Sequence, residues 1–263
     1  MIDEAVRIAK AAGETLLQRF GRLSAGEIER IGRRDVVTAA DRAAEDLITR
    51  ELARAMPGVP VLGEEAARDA GRDALPDGPC WIVDPLDGTV NFVQGIPLFV
   101  VALGLVEAGQ PVLGVVHAPA LGVTWYGAPG MGAFENGRPV SVSVCPMLDD
   151  AILATGFAYR RDELADDNLA SFVAIGRQVR GVRRMGAAAL DLAYVASGRL
   201  DGFWELHLKP WDVAAGAALV RAAGGTVTDQ RGGEDWLFGG HVVATNGLLH
   251  EALRTRLAPL KAL

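Results

Sequence analysis

Between residues 99 and 117, in FVVALGLVEAGQPVLGVVH, two β-rich runs flank Ala108-Gly109-Gln110-Pro111. So short a glycine-containing connection makes an antiparallel hairpin the natural arrangement, and the rest of the chain has to pack around it. Further strands are expected in TWYGAP, GAFENG and RPVSVSV. Two helical patterns precede the hairpin. Residues 1–20 read as an amphipathic helix, and residues 39–56 as a second one with Leu47, Ile48 and Leu52 on one face, Thr38 as N-cap and Pro57-Gly58 as the stop.

Short strands at 59–62 and 81–83 are separated by a polar loop. After 145–150 the pattern changes. AILATGF reads as a strand, 162–179 as a helix, AALDLAYVASG as a helix, GFWEL as a strand and 213–223 as a helix; GGTVTD and HVVAT read as strands, with a last helix after Asn246. Helix pairs, an antiparallel sheet and then alternating elements predict a layered α+β and α/β fold. Its halves, 1–145 and 146–263, have no Gly/Ser linker between them, which predicts one compact unit with an internal cleft.

At 263 residues and 50% hydrophobic content the chain can bury a substantial core, and its formal charge of −7 argues against nucleic acid as the main partner. The first helix carries Asp3, Glu4, Arg7 and Lys10, unlike a signal peptide. The longest apolar stretch, 96–106, is far short of the roughly 20 residues that a membrane helix needs. Cys80 and Cys145 lie far apart and in no CxxC spacing, so buried free thiols and a cytoplasmic location are expected. The four histidines form no HExxH pair, and neither a Walker motif nor a strand-to-helix glycine fingerprint is present.

Acids follow apolar segments at three places: Glu64 and Glu65 after VPVL, Asp84 and Asp87 after WIV in DPLDGTVNF, and Asp212 in KPWDVAAG. Taken singly, these are a solvated pair, a tight turn and a helix cap. Brought together, such carboxylates would repel unless cations neutralised them, and hard divalent ions suit the donor set. Magnesium takes oxygen ligands at about 2.0–2.1 Å, and a pair of ions about 3.5–4 Å apart can clamp the attacking and leaving oxygens of a phosphate ester. No Cys, His or Lys is placed as a covalent nucleophile, which favours water.

GEE, WIVDPLDGTVNF and KPWDVAAGAALVRAAGG, with GRLDGFWEL before PWD, resemble the signatures of the inositol monophosphatase family, the magnesium-dependent, lithium-sensitive phosphatases related to fructose-1,6-bisphosphatase. The resemblance runs over about residues 1–255 and implies an αβαβα sandwich, two or three magnesium ions and a homodimer. By the same resemblance Glu64, Asp84 and the Leu86 carbonyl are ligands of one ion, and Asp84, Asp87 and Asp212 of a second. Thr89 orients the attacking water, and Asp41 pairs with Thr89 or holds a further, weaker ion. Glu64 doubles as base. Gly88 and Thr89 would offer N–H groups to the phosphate. Glu205 would accept hydrogen bonds from sugar hydroxyls, with Gly186, Ala187 and Ala188 lining the pocket beside Leu86, Asp87 and Asp212.

Two positions depart from the family pattern. Ala187 stands where many relatives have Ser or Thr, and Gln94-Gly95 replaces basic or aromatic pairs; both bear on specificity. The expected substrate is inositol monophosphate or a similar small sugar or polyol phosphate. Fructose-1,6-bisphosphatase and histidinol phosphatase are the enzyme alternatives. DGTVNF sets the chain apart from nucleotide-acting relatives, in which Lys and Glu commonly follow the threonine. A non-catalytic phosphometabolite-binding regulator is the alternative of a different class, and its expected mark, a lost ligand or threonine, is missing.

Overall fold

The computed structural model describes residues 1–70 and 78–257. Helices α1 (Ile2–Leu17) and α2 (Ala39–Ala55) are joined through an antiparallel pair, β1 (Ile28–Arg30) and β2 (Val36–Thr38). Seven strands then form one sheet in chain order: β3 (Val61–Gly63), β4 (Cys80–Asp87), β5 (Val100–Glu107), β6 (Gln110–Ala118), β7 (Val123–Ala128), β8 (Gly132–Glu135) and β9 (Arg138–Val140). Only β3 and β4 are parallel neighbours. The hairpin read from the sequence is β5–β6, with Glu107 opposite Gln110 and Val101 opposite His117. Helices α3 (Glu64–Ala70) and α4 (Thr89–Val93) follow β3 and β4 directly.

The second sheet is built from β10 (Ile152–Thr155), β11 (Gly181–Arg183), β12 (Gly202–Glu205), β13 (Thr226–Thr228) and β14 (Val242–Thr245), in the order β11-β10-β12-β14-β13. Helices α5 (Leu169–Gly176), α6 (Ala188–Ala196), α7 (Pro210–Ala222) and α8 (His250–Arg254) alternate with these strands.

Period-two alternation in β4 sets the layering. Trp81 and Val83 face α1 and α2 in a cluster with Ile8, Leu16, Ile48 and Leu52, while Cys80 and Ile82 face α6 and α7. The α6–α7 layer is covered on its far side by Ala154, Phe203, Val242 and Ala244 of the second sheet. The outer face of that sheet packs Leu153, Trp204 and Val243 against Ile175 of α5 and Leu253 of α8. Five layers result, αβαβα, as expected. Truncating Ile48 or Leu52, both fully buried, to Ala would cost about 2–5 kcal/mol. The alanine-rich α7 approaches the large sheet so closely that a Cβ on Gly114 would lie 2.1 Å from the Ala215 carbonyl oxygen.

The helix expected over 162–179 is confined to Leu169–Gly176. Asn168 stops it, with φ +66°, because its side chain donates to Thr155 Oγ1 and the Gly156 carbonyl, both at 2.8 Å, and accepts from Trp204 Nε1 at 2.8 Å. Helix α7 begins three residues before the expected 213, with Pro210 in its first turn, so Asp212 lies inside the helix. Cys80 is buried as expected, but Cys145 is only half-buried.

Candidate active site

Strand β4 ends in an irregularity: its pairing with β5 slips between Asp84, opposite Ala102, and Asp87, opposite Val100. The slip folds the chain back on itself, so that Asp84 Oδ1 accepts from the Leu86 amide at 2.9 Å. Gly88 turns the chain with φ +93°, and a Cβ there would lie 2.9 Å from the Leu98 carbonyl oxygen. The next residue, Thr89, opens α4. Its hydroxyl lies 3.0 Å from the Leu86 carbonyl oxygen and 3.2 Å from Asp41 Oδ1. The other oxygen of Asp41 accepts from the Thr38 amide at 2.9 Å and hydroxyl at 2.5 Å in the capping box of α2.

Glu64 opens α3, whose start is held by Glu45: its carboxylate accepts from the amides of Glu65 and Ala66, both at 2.9 Å. Glu65 is buried, so the two glutamates are not a solvated pair. Asp212 Oδ2 accepts from the Lys209 amide at 2.6 Å, so it does cap α7. It also faces a cleft of about 680 Å³ that Glu64, Asp87, Glu205, Gly186, Ala187 and Ala188 line. Capping and site membership coexist in one side chain. Asp87 has a second partner in the C-terminal half, where its Oδ2 accepts from the Ala189 amide of α6 at 2.7 Å. With Ala at position 187, the first turn of α6 takes its carboxylate from across the cleft.

Burial first, then repulsion from Glu64, Asp87 and Asp212, holds the Asp84 carboxyl well above the usual carboxylate range. Burial and Asp212 push Asp87 up to about 7, against the amides of Ala189, Ala188 and Leu190. Glu205 is pushed up to about 8 by burial and Asp212, with Arg184 opposing. Burial raises Asp41 too, against the hydrogen bonds from Thr38 and Thr89. Four mutually repelling carboxylates beside a backbone carbonyl make a donor set that hard divalent cations fit. Among the described residues, no three Asp, Glu, His or Cys side chains are already drawn into a closed metal-binding group. Closing the group is what a cation would contribute.

The structure therefore brings Glu64, Asp87, Gly186, Ala187, Ala188, Glu205 and Asp212 onto one cleft lining, while Asp41, Asp84, Leu86, Gly88 and Thr89 are not on that lining. Among the further side chains on it that escaped the sequence reading are Asp35, Tyr159, Arg184, Asp191 and His207. The only available signal was for Asp191, a lone carboxylate inside the apolar run AALDLAYVA.

The sequence profile of the inositol monophosphatase family matches residues 1–261. An inositol-1-monophosphatase of Mesorhizobium japonicum is 43% identical over 96% of this chain and 94% of its own length. The Nus factor SuhB of Pseudomonas aeruginosa is 41% identical over 98% and 96%. A solved inositol monophosphatase from Anabaena superposes with a TM-score of 0.87 at 38% identity, covering 98% of this chain and 96% of that one. With its layered fold, the DPLDGT turn and the acids that converge on it, this chain belongs to the inositol monophosphatase family of phosphoric monoester hydrolases.

Proposed function

We propose that this protein is a magnesium-dependent phosphomonoesterase that hydrolyses inositol monophosphate or a similar small sugar or polyol phosphate. The observation that carries the reading is the convergence of Glu64, Asp84, Asp87 and Asp212 beside a Thr89 hydroxyl within 3.2 Å of Asp41 Oδ1. Glu64, Asp84 and the Leu86 carbonyl would hold one magnesium ion, and Asp84, Asp87 and Asp212 a second, with Asp41 in reach of a third. Magnesium there supplies charge neutralisation for the phosphoryl oxygens and acidity for water.

The protein side of the chemistry centres on one proton. Thr89 has a single hydroxyl hydrogen and two acceptors within reach, Asp41 Oδ1 and the Leu86 carbonyl. Were the Leu86 carbonyl to serve as a metal ligand, that hydrogen would point to Asp41, leaving Thr89 Oγ1 to accept from the attacking water. As the water oxygen bonds to phosphorus, its proton passes to Thr89 and the threonine's own to Asp41 Oδ1; the ester P–O bond breaks, the alkoxide takes a proton from a solvent water as it leaves, and the hydroxide so formed is neutralised by the proton held on Asp41. Burial makes Asp41 more basic than a surface aspartate, while Thr38 holds its other oxygen still. Gly88 and Thr89 present amides to the phosphate, and Glu64 is available as a second base. Glu205, with the backbone at Gly186, Ala187 and Ala188, takes the polyol.

A cytoplasmic homodimer acting on a small anionic substrate, with no nucleic-acid or membrane partner, belongs to the same proposal. The net charge of −7 supports the choice of partner, and no helix among the described residues is long and apolar enough to cross a membrane. A purely regulatory role is the alternative, and the intact ligand set and threonine favour turnover over it. Phosphate release from inositol 1-phosphate, fructose 1,6-bisphosphate and histidinol phosphate, with magnesium and with EDTA, tests the reading. Magnesium-dependent release, fastest from inositol 1-phosphate, is expected. Full activity in EDTA would overturn the metal assignment, and no release from any of the three would favour the regulator.

A further inference from the structure

Helix α6 buries nearly every residue from Ala188 to Ala196, and all of them are apolar except Asp191 and Tyr194. Asp191 is 1% exposed, stands on the lining of the cleft, and its Oδ1 has no hydrogen-bond partner. The helix does not need it as a cap, because Asp87 already accepts from the Ala189 amide. Nor is it the buried half of an ion pair: the acids that face it are Glu205 and Asp87, and the opposing charge is Arg184, which is itself exposed. A buried acceptor left unsatisfied is costly, and an apolar residue in its place would remove that cost.

We propose that Asp191 is a specificity-determining residue of the polyol pocket, its Oδ1 accepting a hydrogen bond from a substrate hydroxyl next to the one that Glu205 takes. The Cβ–Cγ torsion of an aspartate is broad and soft, so a turn about it carries the unpartnered oxygen onto the cleft surface. Burial, Glu205 and Asp87 hold the Asp191 carboxyl well above the usual range, and a carboxyl that keeps its proton still accepts through its carbonyl oxygen. The inference rests on the polyol-phosphate reading above and deepens it by giving the pocket a second acidic acceptor, supplied by α6 rather than β12.

Two variants and two substrates test it. Asp191→Leu removes the acceptor, whereas Asp191→Asn keeps an amide oxygen in its place. With inositol 1-phosphate and p-nitrophenyl phosphate measured in magnesium, Asp191→Leu is expected to lower the ratio of the two kcat/KM values about tenfold, mainly through KM for the inositol ester. Asp191→Asn should recover most of that ratio, and the thermal midpoint of the Leu variant should not fall. One monodeoxy-inositol 1-phosphate should show no difference between wild type and Asp191→Leu, which identifies the hydroxyl. Parallel losses on both substrates with a lowered midpoint, or an unchanged ratio in a wild type that hydrolyses inositol 1-phosphate, would overturn the role of Asp191 alone. Failure of the wild type to hydrolyse inositol 1-phosphate would overturn the polyol reading and this inference with it.

Discussion

Asp84, Leu86, Asp87 and Thr89 come from a single strand-to-helix turn that reaches the cleft through Asp87, tied together by hydrogen bonds of 2.9 Å from the Leu86 amide and 3.0 Å from the Thr89 hydroxyl. Across the cleft Asp191, Glu205 and Asp212 come from α6, β12 and α7, with Asp212 Oδ2 accepting from the Lys209 amide. The first wall is locally determined, its groups held to one another by hydrogen bonds within the turn, as suits groups that must hold a reacting centre. The second is assembled from three separate elements, α6 and α7 of the helical layer and β12 of the sheet behind it, so no single stretch of chain fixes its acids. On the proposed function, the contrast would give chemistry to the turn and selection among substrates to the opposite wall, with Asp212 and Asp87 bridging the two.

The largest effect should come from the turn. Asp84→Asn is expected to lower kcat by at least about 10³-fold in magnesium, while raising the melting temperature of the metal-free protein, because a buried carboxylate repelled by Glu64, Asp87 and Asp212 is gone. A variant that lost activity and stability together would make Asp84 a structural residue. Next comes Thr89→Ala, expected to lower kcat about 10²-fold with KM nearly preserved. Thr89→Ser should restore most of it; an inert alanine variant would break the proton path through Asp41.

Both walls contribute to a third effect, seen in EDTA. The folded-state values of Asp87, about 7, and Glu205, about 8, lie above those of an unfolded chain, so the folded protein binds more protons in between. The stability they give is fully present near pH 4 and is lost as pH rises through about 7 to 8. A fall in melting temperature of roughly 5 °C or more over that range is expected, with magnesium cancelling it at the alkaline end. A flat profile in EDTA would mean that the acids are relieved without a cation. The smallest effect belongs to the selecting wall. Glu205→Gln should lower the ratio of kcat/KM for inositol 1-phosphate over p-nitrophenyl phosphate about tenfold, and equal losses on both substrates would move Glu205 to the chemical side.

Legibility in the sequence followed sequence distance. The β5–β6 hairpin, the Thr38 cap and the DPLDGT turn were readable because turn chemistry and capping act over three or four residues, whereas Asp41 was found through the family resemblance. The short α3 was missed because its start is stabilised by Glu45, nearly twenty residues earlier. Strand β11 was missed because GVR has no alternating pattern and is a strand only through its parallel pairing with β10. Asp191 looked like one polar residue in an apolar helix, since its neighbours Glu205 and Asp87 are far away along the chain.

By itself, then, the sequence determined the elements whose stabilising contacts are local and the order of acids that marks the family. Tertiary structure decided which of those acids share a cleft, that Asp212 serves as helix cap and cleft residue at once, and that an unpartnered carboxylate of α6 looks into the same space. The physical reason is range: hydrogen bonds within a turn depend on neighbours in the chain, whereas repulsion between buried charges, and the vacancy of an acceptor, depend on what packing brings alongside.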